Sequence, residues 1–218
     1  PHYRARLTAV CLLAFAAYFV TSVRLPVVPL FAVELGASTT EVGLINSSFL
    51  LMMGLLALPL GLLGDRWGRR RIVVGGLFLA AVASLLLYWS HSPGQLMSIL
   101  LVFGVGLAMI GPSLMAQVAD ISPPSHLGRA YGWYTLAIYT GMSIGPAVGG
   151  ALAEIWGYRW IFLALATATL ALLPPALVSL RSPAAADQQG RVQALTLLWE
   201  EGGRNRALQG CWLLTLGS

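Results

Sequence analysis

Six long apolar stretches follow one another along this chain, at about 7–33, 42–63, 72–90, 96–119, 130–153 and 160–180, and only the first holds a charge, Arg24. Crossing about 30 Å of hydrocarbon takes roughly 20 apolar residues in an α-helix, so each stretch is long enough to span a membrane. Barrel strands are a poor fit, because they run to about 10 residues and alternate in polarity. A helix of a soluble protein buries one stripe and wets the other, and six successive helices without a polar face have no place in water. Composition agrees: of 218 residues, 57% are apolar and only 10% charged. A soluble domain carries about 25% charged residues, and disorder needs still more charge and less apolar surface.

All thirteen basic residues are arginine, and eight acids leave a net charge of +5. On a soluble chain a pI of 9.7 would raise nucleic-acid binding. Here the arginines fall in the gaps between apolar stretches, so they set topology instead, and no nucleic-acid partner is expected. Arg4, Arg6, Arg66, Arg69, Arg70, Arg71, Arg129, Arg181, Arg191, Arg204 and Arg206 share one side, against Arg159 alone on the other. That bias predicts a multi-pass protein of the inner (plasma) membrane, in contact with the lipid bilayer, with both chain ends cytoplasmic. Trp67, Tyr88, Trp89, Trp133, Trp156 and Trp160 fall near span ends, where amphipathic rings prefer to sit.

The expected organisation is a six-helix bundle over 1–180, a cytoplasmic linker over 181–206 rich in Ala, Pro and Gln, and the truncated start of a seventh span over 207–218. A first residue Pro1 and an apolar run cut short at the other end give the expectation of a fragment. Cys11 and Cys211 suggest neither a disulfide framework nor a metal site, and His2, His91 and His126 stand outside the spans without ligand spacing. No glycine-rich stretch follows a strand, so no phosphate loop is expected. No catalytic constellation, cofactor or metal is expected, and the chain does not read as an enzyme.

The pattern G-x-x-x-[DE]-x-W-G-x-R occurs twice, from Gly61 through Asp65 to Arg70 and from Gly150 through Glu154 to Arg159, at a constant offset of 89. Pro26 and Glu34, eight residues apart, are echoed by Pro112 and Asp120. Three spans separate the two copies, so they lie on opposite membrane faces. An inverted repeat of three plus three helices follows, as in the folds of secondary transporters. The copy assigned to the cytoplasm carries extra arginines, and the other carries Ile155, Tyr158 and Trp160 in their place.

The loop from Gly61 to Arg71 sets an acid among arginines at a helix end. Such groups form charge-assisted bonds that hold one conformation, or they anchor the cytoplasmic face alone. With Gly61, Asp65, Arg66, Gly68, Arg69 and Arg70 in place, the loop resembles the signature loop between spans two and three of the major facilitator superfamily. Gly141, Gly145, Pro146, Gly149 and Gly150 in span five resemble the antiporter motif of its drug:proton antiporter branch, and Leu25-Pro26-Val27-Val28-Pro29-Leu30 is similar to that branch as well. The resemblance covers the whole chain and implies an all-α membrane fold: the N-terminal six-helix half of a carrier, completed by a missing C-terminal half.

It also implies roles. Asp65 would bond to helices of the other half, and Arg69 and Asp120 would complete that charge network. Gly141, Gly145, Pro146, Gly149 and Gly150 would let span five bend and pack tightly against the opposite half, as small residues at four-residue spacing allow. One departure stands out. Val102 lies four residues before Gly106, where proton-coupled relatives often carry an arginine, and no acid lies deep in any span. Either protons couple through an acid of the missing half, or the carrier is uncoupled.

Arg24 is costly inside a span and is a functional candidate for that reason. It either binds an anionic group of the cargo or serves as an anchor, snorkelling outward or pairing with Glu34 or Glu41. Asn46, Gln117 and Tyr139 are placed to contact cargo or to bond between helices. The reading is a secondary active transporter of small molecules, directed to efflux, working by rocker-switch alternating access. The rival is a non-transporting membrane sensor or assembly protein on the same scaffold.

Overall fold

The computed structural model describes residues 2–180, and every element among them is helical. The expected linker (181–206) and seventh span (207–218) lie outside the described residues. The helices are α1 (His2–Glu34), α2 (Thr39–Trp67), α3 (Arg69–Tyr88), α4 (Pro93–Ile121), α5 (Leu127–Trp156), α6 (Tyr158–Ala171) and α7 (Leu173–Ser179), with a 3-10 turn at Pro124–His126. Six spans are long and apolar enough to cross a membrane, the sixth made of α6 and α7 together. Pro174 and Pro175 explain that break, since proline removes an amide donor and its ring clashes with the preceding turn.

Each of the six spans begins two to five residues before its apolar stretch. Polar residues supply those extra turns. Ser38 and Glu41 form a capping box at the start of α2: the Ser38 amide donates to Glu41 Oε2 at 2.8 Å, and the Glu41 amide donates to Ser38 Oγ at 3.3 Å. At the start of α4 the Gln95 amide donates to Ser92 Oγ at 3.4 Å. Trp67, Trp89, Trp133, Trp156 and Trp160 are all exposed near helix ends, as an interfacial belt requires.

Buried side chains form two apolar layers. One joins Val27, Phe31, Phe49, Leu87, Leu100 and Phe162; the other joins Val10, Ala14, Leu77, Leu114, Val118 and Tyr134. The closest helix pairs are α1 with α5 and α2 with α4. Under a three-plus-three inversion α2 corresponds to α5 and α4 to α1, so these are the same pair seen twice. The joints repeat as well. Gly68 and Gly157, 89 residues apart, each form a one-residue link between spans with positive φ, 93° and 75°. Each donates its amide to a carbonyl four residues back, Gly64 at 3.1 Å and Ala153 at 3.0 Å. Glycine is required at both, because a Cβ disfavours that backbone region.

Without water to drive association, such helices hold by close packing. A Cβ on Gly104 of α4 would stand 2.7 Å from the Phe49 carbonyl of α2, and one on Gly141 of α5 would stand 2.7 Å from the Phe15 carbonyl of α1. A Cβ on Gly145 would meet Ser22 Cβ at 2.6 Å, and one on Gly149 would overlap the Val23 carbonyl. Within this half, Gly141, Gly145 and Gly149 make their close packing with α1. Gly150 has open space where its Cβ would be, and Pro146 lies inside α5, half-buried.

Candidate functional site

The α2–α4 crossing sets up the first constellation. Gly61 lets α2 lie against α4, with its missing Cβ 3.4 Å from Pro112 Cβ, and at Gly64 that position is 3.0 Å from Ser113 Oγ. The last turn of α2 and the end of α4 are thereby neighbours. Gly68 then turns the chain, and Arg69 enters the first turn of α3 almost fully buried. Its Nε and Nη2 donate to Asp65 Oδ1 at 3.3 and 3.1 Å, and its Nη1 donates to Asp120 Oδ2. One guanidinium therefore ties the ends of α2, α3 and α4 together. Asp65 keeps 32% of its side chain exposed against 15% for Asp120, so Asp65 is the member presented outward. Arg66, Arg70 and Arg71, the other arginines of the loop, are exposed.

The repeated motif on the opposite face is built differently. Glu154, the counterpart of Asp65, is exposed. Arg159 turns to backbone instead: its Nη1 donates to the Tyr88 carbonyl at 3.0 Å and its Nη2 to the Ser90 carbonyl at 3.2 Å. A cation on the last carbonyls of α3 suits the negative end of a helix. The repeat marks this arginine, and its partners become visible only once α3 and α6 are seen side by side.

Arg24 forms the second constellation. It is 3% exposed, and its guanidinium carbon lies 3.6 Å from the Phe103 ring centroid and 4.8 Å from that of Phe49. Neither Glu34 nor Glu41 pairs with it among the described residues. Its Nε and Nη1 have no hydrogen-bond partner among the described residues. A cavity of about 10 Å³ adjoins it at the boundary of the two apolar layers, lined in part by Thr21, Ser84 and Thr169. Each of those hydroxyls donates to the carbonyl four residues back, at 2.8, 2.8 and 2.7 Å, which leaves their lone pairs as acceptors. The cavity is about the size that one water needs.

The four residues expected to contact cargo are not brought together. Arg24 is enclosed as described. Gln117 is 2% exposed, with Oε1 unpartnered. Asn46 is half-buried, three residues before Phe49, and Tyr139 is 62% exposed. None hydrogen-bonds to another among the described residues. Val102 is 37% exposed, and Leu100, four residues before Gly104, is buried in the layer that contains Phe103. The two rings around Arg24 had no signal in the sequence, since phenylalanine in an apolar run is the commonest of core residues.

Comparison with known proteins extends the picture. The family model of the Major Facilitator Superfamily matches residues 10–218. An uncharacterized MFS-type transporter of Methanocaldococcus jannaschii is 31% identical over 137 residues, covering 63% of this chain and 36% of that protein. The quinolone resistance protein NorA of Staphylococcus aureus is 29% identical over 131 residues, covering 60% of this chain and 34% of that protein. The chain thus spans about a third of the length of these relatives. Among solved structures, a bacterial homologue of the human lysosomal transporter Spinster, inward-facing and unoccupied, has a TM-score of 0.73 at 18% identity over 84% of this chain and 44% of that one. A bacterial homologue of the human drug peptide transporters PepT1 and PepT2 has a TM-score of 0.72 at 17% identity, over 99% of this chain and 54% of that one. At such identities these two speak for the fold alone.

Proposed function

The chain belongs to the Major Facilitator Superfamily, and from that membership we propose that it forms the N-terminal half of a secondary active carrier that moves small molecules by rocker-switch alternating access. The C-terminal half is its partner, and the bilayer its medium. The direction we propose is efflux, supported by the similarity to a quinolone resistance protein. The arginine bias supports an inner-membrane orientation with both ends of the chain in the cytoplasm.

The observation that carries the reading is the Asp65–Arg69–Asp120 cluster. It fixes the ends of three spans through one buried cation, so the half moves as a body rather than helix by helix. Asp65 is the carboxylate turned outward, and in this reading it meets helices of the other half when the cytoplasmic side closes. Gly141, Gly145, Pro146, Gly149 and Gly150 keep α1 and α5 in register during that movement, and Gly150 offers an open flank to a neighbour. Asn46 and Tyr139 are the accessible cargo contacts of this scheme. Arg24 and Gln117 reach cargo only in a state that opens the half. Protons are the proposed coupling ion, through an acid of the other half.

The test is Asp65→Asn in the intact carrier. The amide keeps the shape and removes the charge, so turnover is expected to fall at least tenfold with membrane insertion and amount unchanged. Normal turnover in the variant would remove Asp65 from the conformational cycle.

A further inference from the structure

The small cavity beside Arg24 is enclosed by this chain's own spans. Its walls come from α1, α3, α4 and α6, and Leu77, Ser84, Phe103 and Thr169 among its lining side chains are all buried. The enclosure therefore does not depend on any surface that further spans would cover. Arg24 itself is 3% exposed, and two of its guanidinium nitrogens lack partners among the described residues. The rings of Phe49 and Phe103 attract the cation but do not neutralise it. Buried charges are normally paired, and an arginine inside a span finds an acid, a carbonyl or water. No carboxylate lines this cavity.

We propose that this cavity is a site for a single halide ion, held by the Arg24 guanidinium and by the hydroxyls of Thr21, Ser84 and Thr169. Size sets the class of ligand. A cavity of about 10 Å³ admits one water-sized body. A halide is only slightly larger than water, whereas a carboxylate, a phosphate or a drug-like molecule is far too large. Charge chooses between the ion and water. A water molecule accepts an N–H bond and leaves the cation uncompensated. A halide accepts several such bonds and also cancels the charge, in surroundings whose low dielectric constant makes that attraction strong. The hydroxyls join at little cost. Each donates to the carbonyl four residues back, a carbonyl that also accepts the helical amide. Turning an O–H toward the ion therefore orphans no acceptor. The ion is a resident counter-charge between four spans and is not the cargo.

The intact protein is purified in a mild detergent, and its thermal unfolding is followed in sodium chloride and in sodium gluconate at equal concentration. Gluconate carries the same charge, so ionic strength is matched, but it is too large for the cavity. Chloride is expected to raise the melting temperature saturably, by at least about 2 °C over gluconate, because a ligand of the folded state alone stabilises it. Bromide is expected to act likewise. Arg24→Met removes the cation and is expected to melt alike in the two salts. Ser84→Ala keeps the cation and removes one donor, so it is expected to need severalfold more chloride for the same rise. Equal melting of the wild type in the two salts would overturn the proposal. So would a chloride response unchanged in Arg24→Met or, should that variant not fold, in Ser84→Ala. In crystals grown with bromide, an anomalous peak is expected beside the Arg24 guanidinium, and bromide found only elsewhere would equally overturn it. No transport is measured, so failure here is distinct from failure of the carrier reading.

Discussion

Arg24 poses the sharpest question at the scale of single residues. Taking a cation out of water costs several kcal/mol even after relaxation. The two phenylalanine faces offset part of this, since a desolvated cation–π contact is worth about 2 kcal/mol, yet two guanidinium nitrogens stay unpartnered among the described residues. A methionine fills much of the same space without the charge. Arg24→Met is therefore expected to leave the protein at least as stable, by about 0–3 kcal/mol on the scale seen when buried charges are replaced by apolar groups. Thermal unfolding in a mild detergent checks this. A loss above about 1 kcal/mol would mean that the ring contacts and any bound water outweigh desolvation. The presence of this arginine was plain in the sequence, and its environment was not. Glu34 and Glu41 were the nearest acids along the chain, but Glu41 is committed to Ser38 and Arg24 turns inward between α2 and α4.

Between helices, the contrast of Gly149 with Gly150 is informative. They are neighbours in the same motif, yet one faces the Val23 carbonyl and the other faces open space. Gly149→Ala is expected to cost about 1–3 kcal/mol or more, the usual penalty for overfilling a packed contact. Gly150→Ala is expected to stay within about 0.5 kcal/mol, as substitutions without neighbours do. Comparing the melting temperatures of the two purified variants decides the matter; equal losses would contradict the α1–α5 geometry. Spacing alone identified these glycines as packing residues, because four-residue periodicity puts them on one helix face. It could not say which helix they meet. That is set by the crossing of α1 and α5, more than a hundred residues apart in sequence. The spans themselves were legible, since length and apolarity are local properties. Their extra turns came from caps such as Ser38–Glu41, and the break at Leu172 came from Pro174 and Pro175.

For the whole molecule, the inverted repeat is the organising fact, and its two halves share geometry more than chemistry. The joints at Gly68 and Gly157 superimpose in kind, while Asp65 is held by Arg69 and Glu154 is exposed. Charge explains the difference, because among the described residues Arg66, Arg69, Arg70 and Arg71 surround the first joint and only Arg159 adjoins the second. Orientation can be checked directly. With Cys11 and Cys211 replaced by serine, Ser125→Cys is expected to react with a membrane-impermeant maleimide only in inverted vesicles, and Ser92→Cys only in intact cells. The reverse pattern would invert the topology.

The one-residue joints also bear on how such a chain enters the membrane during synthesis. With only Gly68 between them, α2 and α3 leave no slack for one span to settle while the other waits. They are expected to pass into the bilayer together, as a hairpin whose tip, bearing Arg66, Arg69, Arg70 and Arg71, is too highly charged to be drawn across. The tip at Gly157 carries Glu154 and Arg159, whose charges cancel, so the second hairpin can cross where the first cannot. One glycine joint used twice, with different charges around it, thus gives the nascent chain both its anchor and its passage.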